Sequence, residues 1–374
     1  MNVMIAIDSF KGSLSSMEAG LAAAEGVKRA DPSAICTVRP LADGGEGTVD
    51  ALVAGLGGEL RKVTVTGPAG KPVTAKYGLV GTMAVMEMAE ASGITLVSGA
   101  ERNALVTTTY GVGEMILDAA KAGAKTFVIG IGGSATNDAG AGMLQALGWR
   151  LLDANGHEIP RGGAALAQVA QIIVPEQSAV AGLTFRIACD VKNPLCGPQG
   201  ASAVYGPQKG ATPEGVQVLD AALAHFASVA GDAAVNPGDG AAGGLGFAFR
   251  RFLGAELVPG VDLILGETHL ADYVKDADVV ITGEGRLDGQ TVMGKAPIGV
   301  ARVAKDAGKL VFAFSGCVGD GVEAVNGAGI DAFFPVLRKI TTLDEALEKS
   351  TAAANLTATV EQAFRVLIAA RKGA

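Results

Sequence analysis

The chain has 374 residues, of which 49% are apolar and 18% charged, with a mean hydropathy of +0.36, as is typical of a folded globular protein. Its net charge of −8 and isoelectric point near 5.1 exclude a global positive field of the kind that holds nucleic acid or an anionic membrane. Residues 1–8 lack the basic start of a signal peptide, and no apolar run approaches the roughly 18 residues of a membrane span. We therefore expect a cytoplasmic protein that binds neither nucleic acid nor membrane.

The length exceeds what one hydrophobic core usually organises, which favours two domains. The 54 glycines cluster at the ends of apolar runs, where a chain turns or comes close to a ligand. The four cysteines and three histidines show no CxxC or HxxxH spacing, so we expect neither a structural metal site nor a disulfide framework.

The first elements along the chain alternate between strand and helix. Residues 3–7 form a continuous apolar run that predicts a buried parallel strand. Ser15 and Glu18 form a capping-box pattern, which predicts the start of a helix. Residues 35–40 then predict a second strand and residues 47–56 a second helix. The chain therefore opens with a β-α-β-α order.

The pattern changes at about Leu60 to short alternating segments such as residues 61–65, which predict antiparallel pairing. We place the entry to a second domain here. Mixed elements follow, namely a helix at 111–121, a strand at 127–131, a helix of small residues after Asp138, a strand at 185–189 and a helix at 213–230.

The opening pattern returns near residue 278 and continues to the end of the chain. Its elements are a strand at 278–282, a helix at 297–306, strands at 310–314 and 332–336, and a final helix with an apolar stripe of Leu356, Val360, Ala363 and Leu367.

The first two strands and the last three predict one doubly wound sheet of the α/β class, interrupted by an inserted domain. The predicted boundaries are 1–62 plus 275–374 for the doubly wound domain and 63–274 for the inserted mixed α/β domain.

Glycine and carboxylate residues follow the predicted strands repeatedly. In a doubly wound sheet, ligands gather beyond the carboxyl ends of the strands, so these loops are the candidate site. They lie at 8–13, 42–48 and 282–288 in the outer segments, and at 130–138, 189–194 and 240–246 in the insert.

These loops combine the groups that phosphoryl transfer needs. Glycine lets backbone N–H groups approach phosphate oxygens, and carboxylates beside a phosphate are favourable when Mg²⁺ lies between them. Transfer also needs a cation for the developing charge and often a carboxylate that orients the attacking hydroxyl. The candidate cations are Lys11, Lys192, Arg286 and Lys295, and the candidate metal ligands or bases are Asp43, Glu46, Asp138, Asp190, Glu284 and Asp288.

Some of these patterns have a simpler explanation. Residues 289–295 match the first seven letters of a Walker A motif, but Ala296 replaces the hydroxyl residue that binds magnesium. We therefore do not predict a P-loop, although Lys295 at a helix start remains a candidate phosphate contact. Asp8 and Ser15 can each serve as helix caps instead of site residues. None of the three histidines is assigned to catalysis.

Six blocks in this order resemble the bacterial type I glycerate kinase family, also called glycerate 2-kinases. The blocks are DSFKGS at 8–13, ADGGEGT at 42–48, GGSATNDAGAG at 132–142, CDVKNPLCG at 189–197, GAAGGLG at 240–246 and TGEGRLDGQT at 282–291.

The resemblance implies ATP-dependent conversion of D-glycerate to 2-phosphoglycerate in glyoxylate, glucarate or galactarate catabolism. It also implies a flavodoxin-like domain and a second α/β domain, with the active site in the cleft between them. ATP and Mg²⁺ are the implied cofactors, and we expect a monomer or homodimer.

The roles that the resemblance implies fall into four groups. The predicted catalytic residues are Lys11, Asp190, Glu284 and Asp288; the substrate-binding residues are Ser9, Asp43, Glu46, Asn193 and Arg286; the ATP-binding residues are Gly132, Gly133, Ser134, Thr136, Asn137, Gly243, Gly244, Gly246 and Lys295; and the metal ligands are Asp43, Asp138 and Glu284.

Other function classes stay open at this point. An NAD-dependent oxidoreductase would show a GxGxxG turn directly after a strand, and no predicted strand is followed by one. A non-catalytic sugar-acid-binding module would explain two domains but would leave the acidic, glycine-containing loops without a role. A kinase that forms the 3-phosphate, or that acts on another small hydroxy acid, fits the same loops.

Overall fold

The computed structural model describes residues 1–42, 44–45 and 47–373, so the predicted site residues Asp43 and Glu46 lie outside the described residues. The strands are β1 Asn2–Ile7, β2 Ile35–Val38, β3 Glu59–Thr66, β4 Pro72–Val80, β5 Met83–Glu87, β6 Thr126–Gly130, β7 Arg150–Leu152, β8 Gln171–Ile173, β9 Thr184–Ala188, β10 Glu256–Val258, β11 Val279–Leu287, β12 Leu310–Val318 and β13 Ala332–Pro335.

The α-helices alternate with these strands along much of the chain. They are α1 Ser16–Ala30, α2 Thr48–Leu56, α3 Ala89–Ser92, α4 Tyr110–Lys121, α5 Ala141–Ala146, α6 Ala201–Tyr205, α7 Pro213–Val229, α8 Leu245–Leu253, α9 Gly260–Glu267, α10 Leu270–Lys275, α11 Ala296–Asp306, α12 Ala324–Gly327, α13 Leu343–Leu347 and α14 Lys349–Gly373.

The chain divides into two compact units. Unit 1 contains Met1–Asp43, Asp50–Gly57 and Val261–Ala374, and unit 2 contains Gly44–Val49 and Gly58–Gly260. These limits differ from the boundaries expected from the sequence for two physical reasons. Strand β3 pairs along its whole length with β4 and so groups with the second sheet. Helix α9 groups with unit 1 because its apolar side chains lie directly against Gly299 of α11.

Unit 1 is built on a five-stranded parallel sheet with the order β13-β12-β11-β1-β2. Renumbered within the unit, this is the 2-1-3-4-5 order of flavodoxin-like folds. The prediction that the first two strands and the last three form one doubly wound sheet is therefore confirmed. Strands β1 and β11 lie in the middle of the sheet, and their apolar side chains are almost fully buried.

Helices α1 and α14 cover one face of this sheet. The predicted capping box is present at the start of α1, where the Ser15 hydroxyl accepts from the Glu18 N–H and the Glu18 carboxylate accepts from the Ser15 N–H. Further along α1, Gly26 lies directly against the backbone of α14 at Thr357. The two helices therefore approach closely, and Leu356 and Val360 of α14, which belong to the predicted apolar stripe, are buried.

Unit 2 is built on a six-stranded mixed sheet with the order β10-β9-β6-β5-β4-β3. The first four strands are parallel, and β4 and β3 are antiparallel, as the alternating sequence predicted. Phe127 and Phe185 stack across the parallel strands β6 and β9 with ring centroids 5.0 Å apart. Strands β7 and β8 form a separate two-stranded sheet.

Within the described part of the chain, no helix combines the length and the apolar character needed to cross a bilayer.

The close approach of α1 and α14 predicts that Gly26→Ala destabilises unit 1. A Cβ at this position would clash with the Thr357 carbonyl oxygen and lie 2.8 Å from the Val360 Cβ, and neither group can move freely. We expect a loss of about 2 kcal/mol in the free energy of unfolding, measured by chemical denaturation.

The matched control is Gly266→Ala in α9, where no atom lies within 4 Å of the new Cβ. There the change should be neutral or should stabilise by up to about 1 kcal/mol, because alanine loses less backbone entropy than glycine. Equal effects at the two positions would contradict the close packing of α1 on α14.

Candidate functional site

The two central strands of unit 1 bring two predicted loops together. Ile7 pairs with Gly283, and the Asp8 N–H donates to the Gly283 carbonyl at 2.9 Å, so the loop that follows β1 starts beside the last residues of β11. Gly285 lies against the backbone of Lys11, whose side chain is exposed. In a 2-1-3-4-5 sheet this is the topological switch point, where ligands are expected.

A cluster of carboxylates and cations lies on the last residues of β11 and in the turn that follows it. Residues 282–287, which the sequence predicted as a loop, continue the strand because they pair with β12. The Lys295 Nζ lies 3.7 Å from Glu284 Oε2 and 3.9 Å from Asp288 Oδ1, so one ammonium faces both predicted carboxylates. The Thr291 hydroxyl donates to Glu284 Oε1 at 2.7 Å and accepts from the Asp288 N–H at 3.1 Å. Lys295 reaches the cluster because it precedes the first residue of α11. The structure therefore brings together three of the residues predicted from sequence.

Arg286 adds a second cation to this cluster. Its Nε lies 3.4 Å from Asp288 Oδ2, and its side chain is 64% exposed against 17% for that of Asp288. Ion pairs of this kind contribute little to folding, because water screens the exposed partner. An exposed guanidinium beside a half-buried carboxylate is better suited to meeting an anionic ligand.

Two buried hydroxyl groups lie on the same strand face as Glu284. Thr282 precedes it by two residues on β11, and Ser315 is its register partner on β12. Both hydroxyl oxygens are buried and have no hydrogen-bond partner among the residues that the structure describes. Sequence reasoning did not select Thr291 or Ser315, because a lone hydroxyl residue in an apolar strand or after a turn carries no specific signal.

The donor set of unit 1 fits a metal that is shared with a ligand. Among the described residues, no three carboxylate, histidine or cysteine side chains lie close enough to hold an ion by themselves. Mg²⁺ usually takes only one or two protein carboxylates and completes its shell with water and phosphate oxygens. Glu284 and Asp288, which both face Lys295, supply such a pair.

The glycine-containing loop after β6 is attached closely to its surroundings in unit 2. The Ile94 N–H donates to the Gly133 carbonyl at 2.8 Å, and the Ala135 N–H donates to the Ser92 carbonyl at 2.9 Å. Gly132 and Gly133 are exposed, whereas Ser134 is 7% exposed. The turn therefore presents glycine backbone to the outside, and the Ser134 side chain that follows is nearly buried.

Thr136 and Asn137 of this loop are fully buried. The Asn137 Nδ2 donates to the Ser202 hydroxyl at 2.9 Å. The Thr136 Oγ1 and the Asn137 Oδ1 have no hydrogen-bond partner within the described residues. The structure thus places these two predicted ATP-binding side chains beneath the exposed turn.

Asp138 is a fully buried carboxylate that holds the loop in place. It accepts hydrogen bonds from the Thr109 N–H and hydroxyl and from the N–H groups of Gly140 and Gly142. Burial raises the pKa of the carboxyl, and these donors oppose the shift. Its oxygens serve the start of α5 and the preceding segment, which is a structural arrangement and differs from that of an open metal ligand.

Lys209 lies under the same loop and was not selected from the sequence. Its side chain is only 1% exposed, and its Nζ donates to the Ser134 hydroxyl at 2.6 Å and to the Thr136 carbonyl at 2.7 Å. Burial lowers the pKa of Lys209 to about 7, although the charge of Asp138 acts in the opposite direction. The residue lies 73 positions from Thr136, in a PQK segment without a recognisable motif.

The second glycine-containing loop of unit 2 supports the first. The Ala139 N–H donates to the Gly243 carbonyl at 3.0 Å, and a Cβ on Gly243 would clash with the Thr136 carbonyl. Gly244 has a φ of +90° and lies against Ala139, while Gly246 lies against the backbone of Gly238. These three predicted ATP-binding glycines therefore permit close backbone packing in the structure.

The loop after β9 contains two further predicted residues. The Asp190 Oδ1 accepts from the Gly260 N–H at 2.9 Å, and the Asp190 side chain is exposed. The Asn193 side chain accepts from the Tyr205 hydroxyl at 2.8 Å and donates to the Gln199 carbonyl at 2.8 Å. Neighbouring backbone thus orients Asp190, and Asn193 is held within its own loop.

A cavity of about 450 Å³ opens beside the exposed glycines of unit 2. Its volume is within the usual range for small-molecule sites. Its lining combines the backbone of Gly132 and Gly133, the carboxylates of Glu87 and Glu90, and apolar side chains that include those of Ile94 and Leu96.

The buried position of Lys209 predicts a specific pH dependence of stability. Its pKa of about 7 in the folded protein lies below the 10.5 of an unperturbed lysine, so between these values the unfolded chain binds more protons. Stability should therefore rise with pH above 7 in the parent protein. Relative to Lys209→Met, the free energy of unfolding should increase by about 1.5 kcal/mol between pH 7 and about 8.5, measured by denaturation. Parallel pH profiles for the two proteins would contradict the shifted pKa.

Comparison with known proteins places this chain in one family. A model of the glycerate kinase family matches residues 3–368. A glycerate kinase from Haemophilus influenzae is 48% identical over 375 residues, which cover 98% of this chain and 99% of that protein. A glycerate 2-kinase from Escherichia coli is 48% identical over 354 residues, which cover 92% and 93% of the two chains.

A solved structure agrees with the sequence comparison. It comes from Salmonella typhimurium, from a chain provisionally named glycerate kinase 2, and it superposes with a TM-score of 0.92 at 45% sequence identity. The match covers 100% of this chain and 99% of the other. Because one family model and several close relatives span nearly the whole sequence, the chain belongs to the glycerate kinase family and is a kinase enzyme.

Proposed function

We propose that this enzyme transfers a phosphoryl group from MgATP to D-glycerate and forms 2-phospho-D-glycerate. The observation that carries the proposal is the cluster at the switch point of unit 1, where Lys295 faces both Glu284 and Asp288. The Escherichia coli relative, which is named as a glycerate 2-kinase, supports the position of transfer. We further propose a role in organic-acid and sugar-acid catabolism, such as that of glyoxylate, glucarate or galactarate.

Glu284 and Asp288 are the residues that would hold Mg²⁺ in this proposal. A bound Mg²⁺ neutralises phosphate charge and fixes the orientation of the phosphate oxygens. The Thr291 hydroxyl donates to the Glu284 carboxylate and accepts from the Asp288 backbone N–H, so it links that carboxylate to the backbone of Asp288. Lys295, which faces both carboxylates, would contact the transferred phosphoryl group; where only one of the two carboxylates binds the metal, the other would accept the proton of the attacking hydroxyl.

We propose that cations of unit 1 recognise the carboxylate of D-glycerate. Lys11 in the loop after β1 and Arg286 near the end of β11 both have exposed side chains. Ser9 belongs to the first of these loops and can donate a neutral hydrogen bond. Roles in substrate binding for Asp43, Glu46 and Asn193, and a catalytic role for Asp190, stay predictions.

We propose that the nucleotide binds at the exposed glycines of unit 2. Gly132 and Gly133 border a cavity of about 450 Å³, and glycine N–H groups in such a turn can bind phosphate oxygens. Ser134 lies next to them, whereas Thr136, Asn137, Gly243, Gly244 and Gly246 shape the turn from below. Asp138 then stabilises this loop, and we no longer propose it as a metal ligand.

The site in a cleft between two domains, the cytoplasmic location and the monomeric or homodimeric state stay predictions.

The proposal is tested by coupled ADP release with purified protein, MgATP and D-glycerate, with the product identified by 31P NMR. Turnover that yields the 2-phosphate is the expected result. Formation of the 3-phosphate would overturn the position of transfer but not the substrate. Turnover with other hydroxy acids and not with D-glycerate would overturn the substrate.

The cluster of unit 1 predicts large effects on catalysis from small changes in charge. Glu284→Gln and Asp288→Asn each keep the side-chain size but remove a carboxylate that faces Lys295. We expect kcat/KM to fall roughly 100-fold or more in each variant, measured by the coupled assay.

The matched control is Asp306→Asn, which alters an exposed carboxylate at the end of α11 in the same unit. It should retain parental kcat/KM. Comparable activity in Glu284→Gln and Asp306→Asn would remove the cluster from the mechanism.

A further inference from the structure

We propose that Lys209 is a positioning residue for the nucleotide, because it fixes the Ser134 hydroxyl as a hydrogen-bond donor toward a phosphate group at Gly132 and Gly133. This inference rests on the proposed function of the same loop. It concerns a residue outside every motif that the sequence offers, and it assigns a role to a buried lysine that the transfer reaction does not otherwise use.

The first step is geometric. The Lys209 Nζ lies 2.6 Å from Ser134 Oγ and 2.7 Å from the Thr136 carbonyl oxygen, and both bonds are buried. They connect the side chain to two points of the turn that begins at the exposed Gly132. Lys209 therefore ties the inner side of the turn to a fixed position.

The second step concerns the direction of the hydrogen bond. In its protonated form Lys209 has three donor hydrogens and no acceptor, so Ser134 Oγ then accepts from it. The hydroxyl hydrogen of Ser134 is then free to point elsewhere, and it has no acceptor among the described residues. Ser134 directly follows the exposed Gly133, so an anion on the glycine turn is the natural acceptor.

The third step concerns charge. Asp138 is the charged group that acts on Lys209, whereas the contacts described for the Lys209 Nζ are to a hydroxyl and a carbonyl oxygen and not to a carboxylate. Four N–H and O–H donors already engage the Asp138 carboxylate. A buried cation without a close counter-ion is costly, and a bound phosphate group beside the turn would offset that cost. The same ammonium therefore favours an anion and orients the hydroxyl that binds it.

The first test compares nucleotide affinity in the parent enzyme and in Lys209→Met, which keeps an unbranched buried side chain but removes the donors. We expect the Kd for MgADP, measured by calorimetry, and the KM for ATP to rise roughly tenfold. The KM for D-glycerate should change less than about twofold, because the lysine acts on the nucleotide loop. Unchanged nucleotide affinity would overturn the proposal.

A double-mutant cycle tests whether Lys209 acts through Ser134. If it does, Lys209→Met should weaken MgADP binding much less in the Ser134→Ala background than in the parent enzyme. Independent, additive losses would overturn this route. A second variant, Lys209→Gln, retains an N–H donor, and its affinity should lie between those of the parent and the methionine variant.

A stability control separates positioning from general damage. Tyr77→Phe removes the buried hydrogen bond from the Tyr77 hydroxyl to Asp118, at 2.6 Å, on β4 and α4 of the same unit. It should lower the free energy of unfolding but leave the Kd for MgADP unchanged. If MgADP affinity falls in proportion to the loss of stability in Tyr77→Phe and in the Lys209 variants alike, Lys209 has only a structural role.

The test also separates this inference from the proposed function. Calorimetry with MgADP requires no turnover, so it reports on Lys209 even if D-glycerate is not the substrate. Absence of turnover with D-glycerate in the parent enzyme would overturn the proposed substrate. Equal MgADP affinity in the parent and the Lys209 variants would overturn only the positioning role.

Discussion

The parallel pairing of β1 with β11 is the interaction on which the proposed chemistry depends. These two strands are 272 or more residues apart in the sequence, yet Ile7 lies opposite Gly283 and both strands run in the same direction through the sheet. The pairing sets the backbone of the loop that contains Lys11 beside Gly285, which follows Glu284 on β11. A shift of register would reverse the faces on which these side chains lie, so the hydrophobic core of unit 1 also fixes the alignment of its polar residues.

In the second unit, buried charged groups hold a polar turn rigidly in place. Asp138 satisfies backbone and hydroxyl donors on one side of the loop, and Lys209 engages acceptors on the other. Both charges are buried, so each depends on nearly complete hydrogen bonding. Gly243 completes the arrangement, because a side chain there would collide with the loop backbone. In the proposed function, stability and ligand recognition are therefore linked in this unit, since the groups that shape the turn are also those beside the proposed nucleotide site.

Much of the fold follows from local patterns. The continuous apolar runs correctly predicted the parallel strands of unit 1, and the alternation near residues 61–65 correctly predicted an antiparallel pair. The capping box at Ser15 and Glu18 formed as expected because it needs only residues three positions apart. The limits of the two units were harder to infer, since they depend on which sheet β3 joins and which helix α9 packs against, and both are decided by distant partners.

The sequence by itself determined the order of the elements, the family resemblance and the loops that carry carboxylate, glycine and basic residues, because these depend on composition and short spacings. Tertiary structure alone decided which of those side chains face a ligand and which support the loop. The sequence predicts Asp138 as a metal ligand, but four hydrogen-bond donors enclose it. Lys209 lies outside every motif, and Thr291 was not selected although it ends the block at 282–291, yet Lys209 contacts Ser134 and Thr291 contacts Glu284. The physical reason is burial: whether a polar side chain meets solvent or another buried group is set by packing between segments far apart in the chain.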